Sequence, residues 1–309
     1  MGNVIYELFP GNLQKDMVCL EQKISDVQEI RVRVDRPLMV LMNGKEHFIS
    51  RNGQVVNCRE EGRLITQREL EVILLHICHS SLYAYEEEIK KGYITIRGGH
   101  RVGLAGQAVL TEGEALRTIK NISFLNIRIA HEIKGVSDRL LPYVYENGKI
   151  VNTLIISPPG YGKTTLLRDL IRNISDGNPY DEGRSCCIVD ERSELAGCFN
   201  GIPQLDVGMR TDVMDACPKS MGMMMVIRSM APRVVAVDEL GTMEDMKSLF
   251  SVIRSGCSIL ATIHGDNLQS LQEKSFLKEV MDEKVFNRYI VIKNNRHEVE
   301  VFNGDLKKC

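Results

Sequence analysis

Residues 149–169 read KIVNTLIISPPGYGKTTLLRD. A run of branched apolar residues enters a loop of two prolines and two glycines, and the loop opens directly into a helical period. A buried strand that turns sharply into a helix must send that helix back over its own sheet. The stretch therefore commits the surrounding chain to a parallel α/β arrangement. The loop has the composition of an anion cradle. Gly160 and Gly162 allow backbone N–H groups to turn inward, and the helix starting near Lys163 aims the positive end of its dipole at the same point. The alternative, a helix N-terminus that happens to contain Gly-Lys-Thr, does not explain the strand before it. Ser157 stands where the pattern G-x-x-x-x-G-K-[ST] has glycine. Serine is a small residue that still fits a strand-to-loop turn, and the exchange costs little if position 157 is not left-handed.

These features mark Ser157, Pro158, Pro159, Gly160, Tyr161, Gly162, Lys163, Thr164 and Thr165 as a candidate triphosphate cradle. Lys163 is expected at the β- and γ-phosphates, Thr164 at Mg²⁺ and Thr165 near the α-phosphate. A second element strengthens the assignment. RVVAVDEL is a short apolar strand ending in two acids, expected beside the phosphate loop. Asp238 is placed to hold a water on Mg²⁺, and Glu239 to align the water that attacks a γ-phosphate. The implied ligands are a nucleoside triphosphate and Mg²⁺; the phosphate loop is blind to the base. Two further strand ends deliver polar groups to the carboxyl edge, where open parallel sheets bind ligands: Asp190, Glu191 and Glu194 in CIVDERSEL, and Thr262 and His264 in ILATIHGDN. Thr262 or His264 is a candidate γ-phosphate sensor.

The rest of the chain divides in two by rhythm. Up to residue 135 the pattern is α+β. A helix is expected over LQKDMVCLEQKI, a strand over VQEIRVRV, a hairpin turning at Asn43-Gly44, and a helix from Thr66. Short glycine-punctuated strands follow. From 136 to 309 apolar strands alternate with helices. One helix carries Pro218 in its first turn, another opens with a Thr242/Asp245 capping box, one runs through NLQSLQEKSFLKEVM, and a hairpin closes the chain. The expected architecture is a smaller α+β N-terminal domain (1–135) followed by a parallel sheet covered by helices on both faces (136–309).

Length is sufficient for two such cores, at 309 residues. The formal net charge of −2 argues against a chain built to coat nucleic acid or a charged membrane. Nine cysteines without a C-x-x-C pair suit reduced thiols in the cytosol. The HICH stretch reads as a core Cys78 flanked by histidines rather than a metal site. The N-terminus has no signal-peptide pattern, and no apolar run approaches the ~20 residues needed to cross a bilayer. In MGMMMVIRSM, Met223, Val226, Ile227 and Met230 share one helical face, expected to face the core.

With these residues in view, the second half resembles the secretion-ATPase superfamily, the hexameric motors of type II and type IV secretion and of pilus systems. VIRSMAPRVVAVDELGTMEDMKSLFSVIRSGCSILATIHGDN is similar to that superfamily's Walker B region and histidine box. IVDERSEL looks like its aspartate box, and FLNIRIAH like the segment that carries a nucleotide-contacting arginine, here Arg128. The resemblance departs at Asp238, where the superfamily usually has glycine. It implies a RecA-like P-loop ATPase, with ATP as the nucleotide and Glu239, Arg128, His264 and Glu191 as catalytic residues, assembled as a homo-oligomer, a hexamer. The whole chain, including VQEIRVRVDRPLMV, further resembles a cytosolic ATPase family of endospore-forming bacteria. That implies membrane proteins of a sporulation channel complex as partners, and a cytoplasmic location on the mother-cell side, peripheral to the membrane through those proteins.

Two other readings have the same fold. One is a RecA-like motor on nucleic acid, disfavoured by the scarcity of stacking aromatics and basic runs, so no nucleic acid is expected. The other is a nucleotide-dependent scaffold without turnover, disfavoured by Glu239. A hexameric motor also needs a cation in trans. Arg97, Arg101, Arg128, Arg210 and Arg228 are the candidates, with Arg128 preferred on the resemblance.

Overall fold

The computed structural model describes residues 5–113, 116–293 and 298–309. Expectations resting on the first four residues, on Ala115 and on His297 lie outside the described residues. The chain forms two compact units, Met1–His131 and Glu132–Cys309.

The first unit is built on an antiparallel sheet of β1 (Val27–Arg33), β2 (Met39–Met42), β3 (Lys45–Ile49), β4 (Val55–Val56), β5 (Tyr93–Ile96), β6 (His100–Leu110) and β7 (Leu116–Arg128), in the order β4-β3-β2-β1-β7-β6-β5. The β2–β3 turn places Asn43 and Gly44 at φ of 49° and 74°. Asn-Gly adopts two successive positive φ values at low cost, and such turns match strand twist. Alternate residues of β1, namely Val27, Ile30 and Val32 after a bulge, join Ile94, Val102, Leu125 and Ile127 in one core. Helix α2 (Gln67–Ile77) covers it with Leu70, Ile73, Leu74 and Ile77, and Thr66 and Glu69 cap its start reciprocally. The single first helix expected from the sequence is instead a short α1 (Gly11–Met17) followed by a 3₁₀ segment, Val18–Asp26.

The second unit carries a seven-stranded sheet of β8 (Thr153–Ser157), β9 (Cys186–Asp190), β10 (Thr211–Asp215), β11 (Val234–Val237), β12 (Ser258–His264), β13 (Arg288–Ile292) and β14 (Val299–Asn303), ordered β10-β9-β11-β12-β8-β13-β14. All neighbours are parallel except β13–β14. The five inner strands are buried on both faces, which is why they read as continuous apolar runs. On one face α3 (Lys163–Asp176) packs Leu166, Leu167, Leu170, Ile171 and Ile174 against Ile155, Ile188, Ala236, Leu260 and Ile290. On the other, α4 (Lys219–Ser229) and α5 (Met243–Arg254) pack Met223, Val226, Met246, Leu249 and Val252 against Leu154, Ile156, Val189, Val235 and Ile263.

Four details differ from the sequence expectations. β10 is an additional edge strand, and its residues Thr211–Asp215 are only half-buried or exposed, without an apolar run. The long C-terminal helix is broken into Gln269–Gln272, a 3₁₀ turn Ser275–Leu277, and Lys278–Asp282. Pro218 stands at the N-cap of α4 rather than within its first turn. Met230, the C-cap of α4, is 46% exposed, so only Met223, Val226 and half-buried Ile227 of the expected apolar face point inward.

Candidate active site

The strand order decides how the site is assembled. β12 lies between β8, which feeds the glycine loop, and β11, which ends in the acids. The strand bearing Asp238 and Glu239 is therefore one strand removed from the loop strand, not directly beside it. The register Ser157↔His264 and Val237↔Ala261 brings the ends of all three strands to one edge. Thr262 and His264 consequently stand between the loop residues and the acids.

The loop has the backbone its glycines require. Gly160 has φ 78°, and Gly162, the N-cap of α3, has φ 87° and ψ 22°. A Cβ on Gly160 would meet nothing within 4 Å, so conformation rather than space calls for glycine there. Ser157 is fully buried and is not among the left-handed residues; its Oγ donates to the Pro158 carbonyl at 2.6 Å. Its departure from glycine is thus strain-free. Tyr161 packs on the core below the loop. Pro158, Pro159 and Thr165 complete the loop and first turn, and Pro159 is exposed.

The functional groups meet across the loop. The Thr164 hydroxyl donates to Asp238 Oδ2 at 2.7 Å, and the Thr262 hydroxyl donates to Asp238 Oδ1. His264 Nε2 lies 2.5 Å from Glu239 Oε1 and 3.3 Å from Lys163 Nζ. One ring nitrogen cannot donate to a carboxylate and accept from an ammonium at once. The shorter contact assigns its proton to the Glu239 bond, with Lys163 an adjacent cation. His264 Nδ1 is buried and without a hydrogen-bond partner. The other Glu239 oxygen accepts from Arg192 Nη1 at 3.2 Å. Glu239 itself has φ 59°, a left-handed conformation uncommon for a non-glycine residue.

The third strand end divides into an inward and an outward part. Asp190 is 1% exposed and accepts the N–H groups of Glu194 and Ala196, both at 2.9 Å. Burial outweighs those two bonds and pushes its carboxyl up to about 6. Arg168 of α3 closes the same turn by donating to the Glu194 and Leu195 carbonyls, at 2.7 and 2.5 Å. Asp190 thus shapes the loop instead of facing a ligand. Glu191 is paired with Lys219 from the first turn of α4. Glu191, Arg192, Glu194, Lys219, Asp238 and Glu239, with Asp190 behind them, line a small cleft. Arg192 and Lys219 are not among the site residues named from the sequence; Arg192 lies within IVDERSEL, but the role of both comes from the fold bringing β9, β11 and α4 together.

The remaining candidates lie elsewhere. Arg128, the last residue of β7, belongs to the first unit; it is 3.9 Å from Glu29, and its side chain is 64% exposed. Arg101 stacks 3.8 Å over the Tyr93 ring in the same unit. Arg210 is occupied internally, donating to the Ser175 and Asp176 carbonyls at the C-terminal end of α3, where a cation also suits the helix dipole. Cys78 is buried, and no group of three or more metal-ligating side chains occurs among the described residues. Nor, among them, is any helix long and apolar enough to cross a membrane.

The donor set suits the group the sequence implies. Hydroxyl and carboxylate oxygens of Thr164 and Asp238 are the hard ligands Mg²⁺ takes. The positive-φ glycines and the α3 N-terminus suit an anion beside them. Against this geometry, the family described as "Sporulation stage III, protein AA" matches residues 2–304. The chain belongs to that family. It is 43% identical over 289 residues to stage III sporulation protein AA of Bacillus subtilis (strain 168), covering 93% of this chain and 90% of that one. Among solved structures it is similar to the Yersinia pseudotuberculosis ATPase DotB, with a TM-score of 0.63, 14% identity, and coverage of 96% of this chain and 81% of that one. It is also similar to the pilus retraction motor PilT solved with bound ADP, with a TM-score of 0.60, 13% identity, and coverage of 88% and 76%. At such identities the likeness is one of fold. This member of the sporulation stage III AA family therefore has the α/β architecture of secretion ATPases, the RecA-like P-loop class.

Proposed function

We propose that this chain is an Mg²⁺-dependent ATP hydrolase, a secretion-type motor serving a channel complex during endospore formation. The observation that carries the reading is the convergence of Lys163, Thr164, Asp238, Glu239 and His264 at one sheet edge beside the loop of Gly160 and Gly162. The loop N–H groups and Lys163 bind and orient the β- and γ-phosphates. Thr164 and Asp238 hold Mg²⁺, which when bound neutralises the charge that develops on the phosphates. Glu239 aligns the attacking water and takes its proton as the bond to the γ-phosphorus forms and the bond from that phosphorus to the β–γ bridging oxygen breaks, so that ADP and phosphate leave. His264 touches both Glu239 and Lys163 and is placed to report on the γ-phosphate. Glu191 supports the edge of the cleft through Lys219.

Both Glu239 oxygens are engaged, by His264 and Arg192, so turnover requires that cap to open. Assembly into a hexamer and docking on membrane proteins of the channel complex are the events proposed to open it, from the mother-cell cytoplasm. Two variants test the reading. Glu239→Gln is expected to bind a fluorescent ATP analogue like the parent while turnover falls at least ~100-fold. Lys163→Ala is expected to lose ~10-fold or more in analogue affinity, since it removes the charge facing the phosphates. Unchanged turnover in the first, or unchanged affinity in the second, removes the assignment.

A further inference from the structure

The chain leaves the sheet abruptly at the end of β11. The last parallel pair is Val237↔Ala261, and the next residue on the neighbouring strand is Thr262. Asp238 does not continue the ladder. The backbone instead turns through Glu239 in the left-handed region, φ 59°. Three consecutive residues of this turn are tied to Thr262. The Thr262 hydroxyl donates to Asp238 Oδ1, Thr262 Oγ1 itself accepts the Glu239 N–H at 2.7 Å, and the Thr262 carbonyl accepts the Leu240 N–H at 2.8 Å. The Thr262 side chain is fully buried on a strand paired on both sides, so it has little freedom to take another position.

From this geometry we infer that Thr262 is the positioning residue for the acid pair: one hydroxyl sets both the orientation of the Asp238 carboxylate and the strained turn that aims Glu239. A γ-phosphate sensor, the other role open to Thr262 in the sequence, needs a hydroxyl free to reach a ligand, and this one is used in both directions. The hydroxyl is a single donor, spent on Asp238, and it accepts the Glu239 N–H. With Thr262 holding Oδ1, the other Asp238 oxygen is turned to Thr164. A left-handed glutamate persists only where its surroundings over-determine it; here Thr262 holds its backbone N–H, while His264 and Arg192 hold its carboxylate. The inference rests on the hydrolase reading and deepens it.

The test compares four side chains at position 262 in the full-length protein. Val keeps the shape of Thr without the hydroxyl, and Ser and Ala differ from each other by that one oxygen. Thr262→Ser is expected to keep kcat within about threefold of the parent, while Thr262→Val and Thr262→Ala lose at least tenfold. Affinity for a fluorescent ATP analogue is expected to stay within about threefold for all of them, because Lys163 and the glycine loop are untouched. A readout independent of turnover is amide hydrogen exchange at Glu239. It is expected to accelerate at least tenfold in Val and Ala and to stay slow in Ser, with thermal midpoints checking that each variant is folded. Val turning over like the parent, Ser as impaired as Ala, or affinity falling in step with kcat overturns the inference. A parent that hydrolyses ATP while Thr262→Val does too sinks only the positioning role. A parent that binds no nucleotide, or binds it equally well after Lys163→Ala, sinks the hydrolase reading and this role with it.

Discussion

At Asp190 a carboxyl sits almost entirely out of water, and the cost of that burial exceeds what two backbone N–H bonds return. The neighbouring Asp215 and Asp238 add repulsion in the same direction, so the group holds its proton up to about pH 6 rather than near 3.8. The sign for stability follows from proton counting: between those values the folded chain binds more protons than the unfolded one. The contribution of the neutral carboxyl is present in full below about pH 4 and is lost as pH rises through 6. A shift of about two pKa units corresponds to ~3 kcal/mol. Asp190→Asn cannot ionise, and comparing it with the parent cancels the titration of other groups. The parent's stability relative to this variant is expected to fall by up to ~3 kcal/mol between pH 4 and 7 in urea melts. A pH-independent difference would show that Asp190 ionises normally in the folded state.

Helix α5 begins four residues after Glu239, and its start is held by side chains. The Thr242 hydroxyl accepts the Asp245 N–H at 3.1 Å, while Asp245 Oδ2 accepts the Gly241 and Thr242 N–H groups at 3.0 Å each. Thr242→Ala is expected to lower unfolding stability by about 1 kcal/mol, the usual effect of losing such a cap. Turnover is expected to stay within about threefold of the parent, since the turn carrying Glu239 is anchored by Thr262. A tenfold loss of kcat in a folded Thr242→Ala variant would mean that the cap, not Thr262, holds the turn. This capping box was readable in the sequence, as were the Asn43-Gly44 hairpin and the glycine loop, because each is decided within four to nine neighbouring residues. Elements decided by distant partners were not. Thr211–Asp215 becomes a strand by pairing with Cys186–Asp190 across the fold, and no apolar run announces it. The placement of β12 between β8 and β11 is likewise invisible in either strand alone, yet it gives Thr262 and His264 their positions. Asp190 looked like a ligand-facing acid because strand ends usually face solvent; only the turn through Ala196 shows that it points inward.

At the scale of the whole molecule, the groups gathered at the sheet edge include cations from the chain's second unit, namely Lys163, Lys219 and Arg192. Two of these are already committed to carboxylates, Lys219 to Glu191 and Arg192 to Glu239. Transfer of a γ-phosphoryl group gains most from a further cation that arrives in the transition state, and a ring of identical subunits supplies one from a neighbour. Arg128 is the proposed donor. Its long contact with Glu29, on a side chain mostly in solvent, is worth little and leaves the guanidinium available. Arg128→Ala is expected to bind an ATP analogue like the parent and to lose ~100-fold or more in turnover. Mixing makes the prediction specific to an arginine acting between subunits. In rings assembled from equal amounts of Arg128→Ala and Glu239→Gln, a working site needs Glu239 from one subunit and Arg128 from the next. Each condition is met half the time, so roughly a quarter of the sites recover although neither variant works alone. An arginine acting within its own chain gives no recovery, because each subunit then carries a complete defect. Steady-state phosphate release from the mixture, measured after subunit exchange, decides between the two.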